Sequence, residues 1–250
     1  MIAAHVEYLL RRGDDALILG QRLSEWCGHS PFLEEDIAMA NTALDHIGRA
    51  RMLLTHAGSI EGRGRDEDAL AYLRGEREYR NALICELPSG DYGFTLMRQY
   101  LLDAFHFHLF GALRTSQDAG LAAIAAKAVK ESAYHVRRSA DWIVRLGDGT
   151  EESRARVQAA LDELWGYTGE LFVTDEIEAA MSAQGIAPSL ADIEKMWRAD
   201  VEALLSRATL TPPDGERKIT GGRVGLHTEY LGHLLAEMQI MQRSYPGLVW

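Results

Sequence analysis

The sequence predicts an all-α protein, an antiparallel four-helix bundle with additional C-terminal helices, and three observations carry that prediction. Ala, Leu, Glu and Arg are abundant while Val, Ile and Thr are sparse, so propensity favours helix along most of the chain. Apolar residues recur at three- and four-residue spacing in long runs, and no segment alternates with the period of two that a half-buried strand requires. The breaks between runs carry glycine, proline or serine, and none is clean enough to be a linker. At 250 residues the chain can bury one large core, so a single domain over residues 1–250 is expected.

The first helix is predicted from about Ala4 to Cys27, with Val6, Leu9, Leu10, Gly13, Leu17, Gly20, Leu23 and Cys27 inward. Gly28, His29, Ser30 and Pro31 break it. Proline can begin a helix but not continue one, so a second helix follows from about Phe32 to His56, with Leu33, Ile37, Leu44 and Ile47 on one face. Three glycines make Gly58 to Arg65 a loop. A helix is then expected over about Asp66 to Leu87, a turn at Pro88 to Asp91, and a long helix over about Tyr92 to Arg114. A turn from Thr115 to Ala119 leads to another long helix, about Gly120 to Leu146, which Gly147 to Gly149 end. Helical sequence resumes from Glu151 to Gln184 with a bend near Gly166 to Gly169. Ser189 and Asp192 resemble a capping arrangement for a helix to about Ala208. Thr209 to Gly225 is the longest irregular stretch, and a last helix fills about Leu226 to Ser244.

Composition excludes several function classes. The net charge is −11 and the pI about 5.3, so the surface repels a phosphate backbone and nucleic acid is not expected as a partner, although a local basic patch could still hold a phosphorylated ligand. Cys27 and Cys85 are too few for a disulfide framework or a thiolate zinc site and fit a reducing compartment. The start M-I-A-A-H-V-E-Y lacks the order of a signal peptide, and no apolar run approaches a membrane span. A cytoplasmic protein with no membrane partner is expected.

The chemistry lies in four acids. In an antiparallel hairpin, residues equidistant from the turn lie side by side. Asp14 and Asp45 are equidistant from the middle of Gly28 to Pro31, and Asp103 and Glu131 from the middle of Thr115 to Ala119. Each hairpin is therefore expected to carry one acid per helix at one level. Asp14 sits between Leu10 and Leu17, Asp103 between Tyr100 and Phe107, and Glu131 between Ala128 and Tyr134; the row of Asp45, with Asn41 and Gly48, is less apolar. Carboxylates facing a core need a metal, a cation or hydrogen bonds.

One carboxylate per helix is half of a di-iron bundle; the other half is a histidine three residues after the acid on two of the helices. Here Gly48 follows Asp45 and Tyr134 follows Glu131 at those places. Glycine offers no ligand, and neutral tyrosine suits ferrous iron poorly. Three of the acids are Asp, a methylene short of Glu for bridging two ions. Asp14, Asp45, Gly48, Asp103, Glu131 and Tyr134 thus read as a vestigial di-iron site that holds no metal. His106 lies three residues after Asp103, while His46 and His135, within D-H-I-G and K-E-S-A-Y-H, are each one residue, about 100° of helix rotation, from the ligand direction. Histidines paired with nearby acids in a core or interface are the commoner explanation; a rearranged metal site and a mononuclear or adventitious one are the alternatives.

The same residues carry a resemblance. The run L-x-x-G-D-x-x-L-x-L-x-Q-R-L-x-E-W-C-G-H, followed by L-D-H-I-G-R-A-R, resembles the structural, PaaC-type subunit family of the bacterial phenylacetyl-CoA epoxidase, or ring 1,2-phenylacetyl-CoA monooxygenase. D-E-D-A-L-A-Y-L-R-G-E-R-E-Y-R-N, R-Q-Y-L-L-D-A-F-H, A-x-K-A-x-K-E-S-A-Y-H and the C-terminal G-L-H-T-E-Y-L-G-H-L-L-A-E-M-Q-I-M-Q-R extend it over nearly the whole chain. The resemblance implies a ferritin-like fold and a non-catalytic role beside a related catalytic subunit that holds the di-iron centre and the thioester. It implies a reductase component supplying electrons from NADPH, ring epoxidation with dioxygen in aerobic phenylacetate breakdown, and no cofactor in this subunit. An autonomous ferritin-like di-iron oxidoreductase with a rearranged site is the alternative, and a thioester-binding helical module without redox chemistry is a third reading.

Other features are weaker. Arg77, Tyr79, Arg80 and Asn81, within G-E-R-E-Y-R-N, could touch the phosphates or adenine of phenylacetyl-CoA or the catalytic subunit; a solvated helix face is the plainer account. Glu229, His233 and Glu237 recur every four residues, compatible with a metal or with capping and interface roles. Trp26, Trp142, Trp165 and Trp250, near helix ends, would suit a subunit interface or, for the first three, a core. Gly221 to Arg223 lacks the strand-then-helix context of a phosphate loop.

Overall fold

The computed structural model describes residues 2–248; Trp250 lies outside the described residues. The fold is all-α and ferritin-like, with no strand among the described residues. Its helices are α1 (Ile2–Ser24), α2 (Leu33–Glu61), α3 (Glu67–Tyr72), α4 (Leu83–Glu86), α5 (Tyr92–Leu113), α6 (Ala119–Gly147), α7 (Glu151–Trp165), α8 (Glu176–Ala183), α9 (Leu190–Arg207) and α10 (Glu229–Ser244). Short 3-10 turns occupy Glu76–Glu78, Thr168–Phe172 and Gly222–Val224. The chain divides into two compact units, Met1–Pro88 with Thr220–Trp250, and Ser89–Ile219.

The first unit is built on the hairpin of α1 and α2, against which α3 and α4 pack, while α10 returns onto α3. Almost every residue of α1 from Tyr8 to Gly20 is buried. Its glycines let α2 come close: a Cβ on Gly13 would stand 2.8 Å from Leu54 Cδ2, and one on Gly20 2.9 Å from Ile47 Cγ1. These two pairs are equidistant from the Leu33–Glu34 junction, not from the middle of Gly28 to Pro31. The expected level pairing of Asp14 with Asp45 is therefore corrected. Asp14 stands near Leu53, and Asp45 is displaced by about eight residues, roughly 12 Å at the helical rise. The connection is lopsided because Asp36, in the first turn of α2, accepts from the backbone N–H groups of Gly28 and Ser30 at 2.8 and 3.4 Å.

Two further expectations change. The helix runs through Gly58 to Glu61 and stops at Gly62, whose left-handed φ of 68° suits a C-cap. Within the helix, position 58 has room only for glycine, because the Arg65 carbonyl crosses where a side chain would stand. The continuous helix over Asp66 to Leu87 is instead α3, a 3-10 turn and α4. The backbone donors in between are claimed from outside the segment: Arg80 N–H donates to Asp14 Oδ2 at 2.8 Å and Ala82 N–H to Asp15 Oδ1 at 2.7 Å. Carboxylates on α1 thus replace the intrahelical acceptors that propensity assumed.

The second unit centres on α5, buried continuously from Gly93 to His106 and packed by α6, α7 and α9. Its hairpin bears out the expected turn. Tyr92 and Trp142, equidistant from residue 117, meet edge to face at 5.7 Å. The helical stretch after Glu151 breaks where expected, since Gly166 and Gly169 face Ile219 and the Arg217 backbone. Arg217 sits 5.5, 5.6 and 5.5 Å from the Trp165, Phe172 and Trp197 rings, which pins the irregular stretch before residue 219. Ser189 caps α9 through the Asp192 N–H, 3.3 Å away.

Candidate functional site

In the first unit the acid of α1 is already engaged. Asp14 is fully buried; both its oxygens face the Arg74 guanidinium, and Oδ2 also accepts from Arg80 N–H. Burial alone would pull the Arg74 pKa down, but the charge of Asp14 and its hydrogen bonds outweigh that and raise it. Arg74 lies over the Tyr79 ring at 4.4 Å. Next to it, Asp15 takes both terminal nitrogens of Arg223 at 2.8 Å. Spacing alone does not single out Asp15, Arg74 or Arg223; the signal was the acidic doublet inside an otherwise apolar helix. Arg223 lies in the G-G-R stretch and grips a carboxylate, not a phosphate.

The inward direction of α2 is not that of Asp45. Its buried stripe is Met39, Thr42, Ala43, His46, Arg49, Ala50, Leu53 and Leu54. Asp45 and Gly48 are half-buried on the other side, and a Cβ on Gly48 would meet nothing within 4 Å. Leu33, Ile37 and Leu44, expected inward, are exposed. The buried residues next to Asp45 and Gly48 are thus His46 and Arg49, a frame shifted by one residue.

The same shift occurs on α6 in the second unit. Ser132 and His135 are buried, Glu131 is half-buried, and Tyr134, expected inward, is exposed. Glu131 pairs with Lys127 at 3.0 Å, and Tyr134 lies under Arg137, 5.7 Å from its ring centre. Asp103 on α5 is fully buried as expected. It accepts from Gln99 Nε2 at 2.5 Å and stands 3.4 Å from His135 Nδ1. His135, rather than Glu131, is therefore its neighbour across the hairpin. His106 is a buried ring beside Phe105 and Phe110, with centroids 5.6 and 5.8 Å away.

The four candidate contact residues separate in the same way. Arg77 is exposed. Arg80 donates from Nε to Glu7 at 2.9 Å. Tyr79 and Asn81 are fully buried and cannot meet an outside ligand, which corrects that expectation. The Tyr79 hydroxyl donates to the Ala71 carbonyl and accepts from Gln239 Nε2 at 3.2 Å, and burial pushes its pKa up. Asn81 donates to Glu86 Oε2 at 2.8 Å. Glu86, fully buried, also accepts from Thr228 N–H at 2.6 Å and faces His227 Nδ1 at 2.8 Å. On α10, Glu229, His233 and Glu237 are all exposed. Trp26, Trp142 and Trp165 are half-buried.

Comparison with known proteins adds what the geometry does not supply. Residues 1–250 match the family described as Phenylacetic acid catabolic protein. A relative from Escherichia coli (strain K12), named as one of the subunits of 1,2-phenylacetyl-CoA epoxidase, is 49% identical over 243 residues, 97% of this chain and 98% of the relative.

Proposed function

Because the chain belongs to the phenylacetic acid catabolic protein family, we propose that it is the structural, non-catalytic subunit of a phenylacetyl-CoA epoxidase in aerobic phenylacetate breakdown. A related subunit holds the di-iron centre and the thioester, and a reductase component passes electrons from NADPH. The chain works in the cytoplasm; no helix among the described residues is long and apolar enough to cross a membrane.

The observation that carries the reading is the engagement of Asp14. A carboxylate held on both oxygens by a buried guanidinium has its charge matched and its oxygens engaged, which makes it a poor ligand for a ferrous ion. At the places on α2 and α6 where a di-iron bundle has a carboxylate followed by histidine, the buried residues are His46 with Arg49 and Ser132 with His135. The buried carboxylate followed three residues later by histidine is Asp103 with His106, on α5 alone. Arg49 puts a permanent cation on the buried face of α2, and Glu131 is shared with Lys127. On α2 and α6 the frame is shifted and the shifted positions carry no acid; Asp103 on α5 remains a buried acid, beside His135 and three residues before His106.

The test measures iron in the purified chain and follows oxygen consumption with phenylacetyl-CoA and a reductase. The chain alone is expected to hold well under one iron and to turn nothing over, and adding the related di-iron subunit is expected to start turnover. Two irons per chain with turnover by the chain alone would establish an autonomous oxidoreductase instead.

A further inference from the structure

We infer that the groove between α6 and α9 binds a free α-amino acid with an apolar side chain, its ammonium toward Asp141 and its carboxylate toward Arg207. The site lies wholly in the second unit and is independent of the subunit reading above.

The groove holds a cavity of about 320 Å³, the small end of ligand sites and the scale of one amino acid. Tyr100, Ala140, Ala203 and Leu204 give it apolar walls, and Tyr100 and Leu204 are buried. The Tyr100 hydroxyl donates to the Asp200 backbone carbonyl at 3.1 Å, which fixes the ring; burial raises its pKa, so the phenol keeps its proton. The charged residues run in opposite order on the two walls. Helices α6 and α9 meet with their C-terminal ends together, where the Thr209 hydroxyl donates to the Gly147 carbonyl at 3.0 Å. In that shared direction α6 presents Arg137 and, one turn on, Asp141, while α9 presents Asp200 and then Arg207. Each end of the groove therefore carries one cation and one acid.

One end is occupied by the chain itself. Asp200 Oδ2 lies 2.7 Å from His108 Nε2, and Arg137 stands 5.7 Å from the centre of the Tyr134 ring. At the other end Asp141 and Arg207 are exposed, line the same cavity and make no ion pair with any described residue. Arg156 with Glu152 and Arg198 with Glu194 do pair at four-residue spacing, whereas Arg137 and Asp141, at the same spacing, do not. The open acid and the open cation select the occupant. A phosphate or a plain carboxylate would meet Asp141 as well as Arg207, and a plain amine would meet the reverse conflict. A zwitterion answers both charges at once. An ammonium and a carboxylate on one carbon fit a site this small, and the side chain on that carbon is left to the apolar walls.

The experiment titrates the purified full chain by calorimetry with L-leucine and L-phenylalanine, and with isocaproate and isoamylamine, which are leucine without its ammonium and without its carboxylate. Both amino acids should bind saturably, and isocaproate and isoamylamine about tenfold more weakly or worse. Asp141→Asn should erase the preference for leucine over isocaproate, and Arg207→Gln the preference over isoamylamine, with leucine affinity falling about tenfold in each. Both positions are exposed, so the melting of each variant should match the parent. Lys195→Gln, at an exposed cation elsewhere on α9, should bind leucine as the parent does. No saturable binding of either amino acid would overturn the site, and so would leucine affinity undiminished in both variants. Isocaproate binding as tightly as leucine would overturn the zwitterion and leave a simple anion site in its place.

Discussion

Asp14 is a buried carboxylate matched to a buried guanidinium. Its carboxylate and the Arg74 guanidinium are almost wholly inaccessible, at 0% and 3% of their reference area, so neither charge has water to fall back on. A buried pair of this kind adds little net stability over an apolar pair, yet removing one partner strands the other. Asp14→Ala is therefore expected to lower stability by about 3–5 kcal/mol in urea unfolding, and Asp14→Ala/Arg74→Met to recover a large part of that loss. Additive losses in the double variant would mean that the two groups do not act as a pair. The loss should also be accompanied by loosening of Arg80 to Ala82, because the Arg80 N–H hangs on the same carboxylate.

Helix α2 carries the lesson at the scale of an element. Gly48 is helical, half-buried and has open space where a Cβ would go. Gly48→Ala should raise the stability of the isolated chain by roughly 0.5–1 kcal/mol, since alanine gives up less backbone freedom on folding. Gly13→Ala should lower it by about 1–3 kcal/mol, because the new methyl meets Leu54 at 2.8 Å in a packed interface. Thermal melts of the two variants should move in opposite directions. Helix existence and the long hairpins were legible from periodicity, as were the break after Trp165 and the α9 cap. The face of α2 was not. Both of its sides present apolar residues at helical spacing, and spacing does not say which side a neighbour covers. The α1–α2 register was hidden for a different reason. Equidistance assumes a symmetric turn, and Asp36 gathers the connection toward α2. Between α3 and α4, good helix formers were overruled by the acids of α1, a tertiary effect that no local window contains. The burial of Asp103 was readable because Tyr100 and Phe107 bracket it at helical spacing; the engagement of Asp14 was not, because Arg74 lies 60 residues away.

At the scale of the molecule, the chain begins and ends in the same unit, and a titratable contact fastens the returning segment. His227 directs Nδ1 to Glu86 Oε2 at 2.8 Å and Nε2 to the Tyr79 carbonyl at 3.1 Å. Two acceptors suit the imidazolium, which donates from both nitrogens, better than the neutral ring, which donates from one. Burial by itself would depress the His227 pKa; the Glu86 hydrogen bond and charge, the Tyr79 carbonyl and the more distant Glu76 outweigh it and hold the pKa above the ordinary histidine value. Arg22, which donates to the Glu86 backbone carbonyl at 2.9 Å and to that of Tyr230 at 3.3 Å, holds both sides of the contact without occupying the carboxylate. A pKa raised on folding means that the folded chain keeps its proton where the unfolded chain has lost it. The stabilisation is complete below the unfolded value, about 6.5, and disappears as pH rises through the raised folded value. Denaturant unfolding followed in steps from about pH 6 upward should show this decline in the parent chain. His227→Gln, which cannot titrate, should remove that contribution to the slope and sit lower in stability at the acid end. Hydrogen exchange should place the change in residues 220–244, where α10 is held back onto α3. A pH profile identical in parent and variant would mean that the His227 proton is not what fastens the segment.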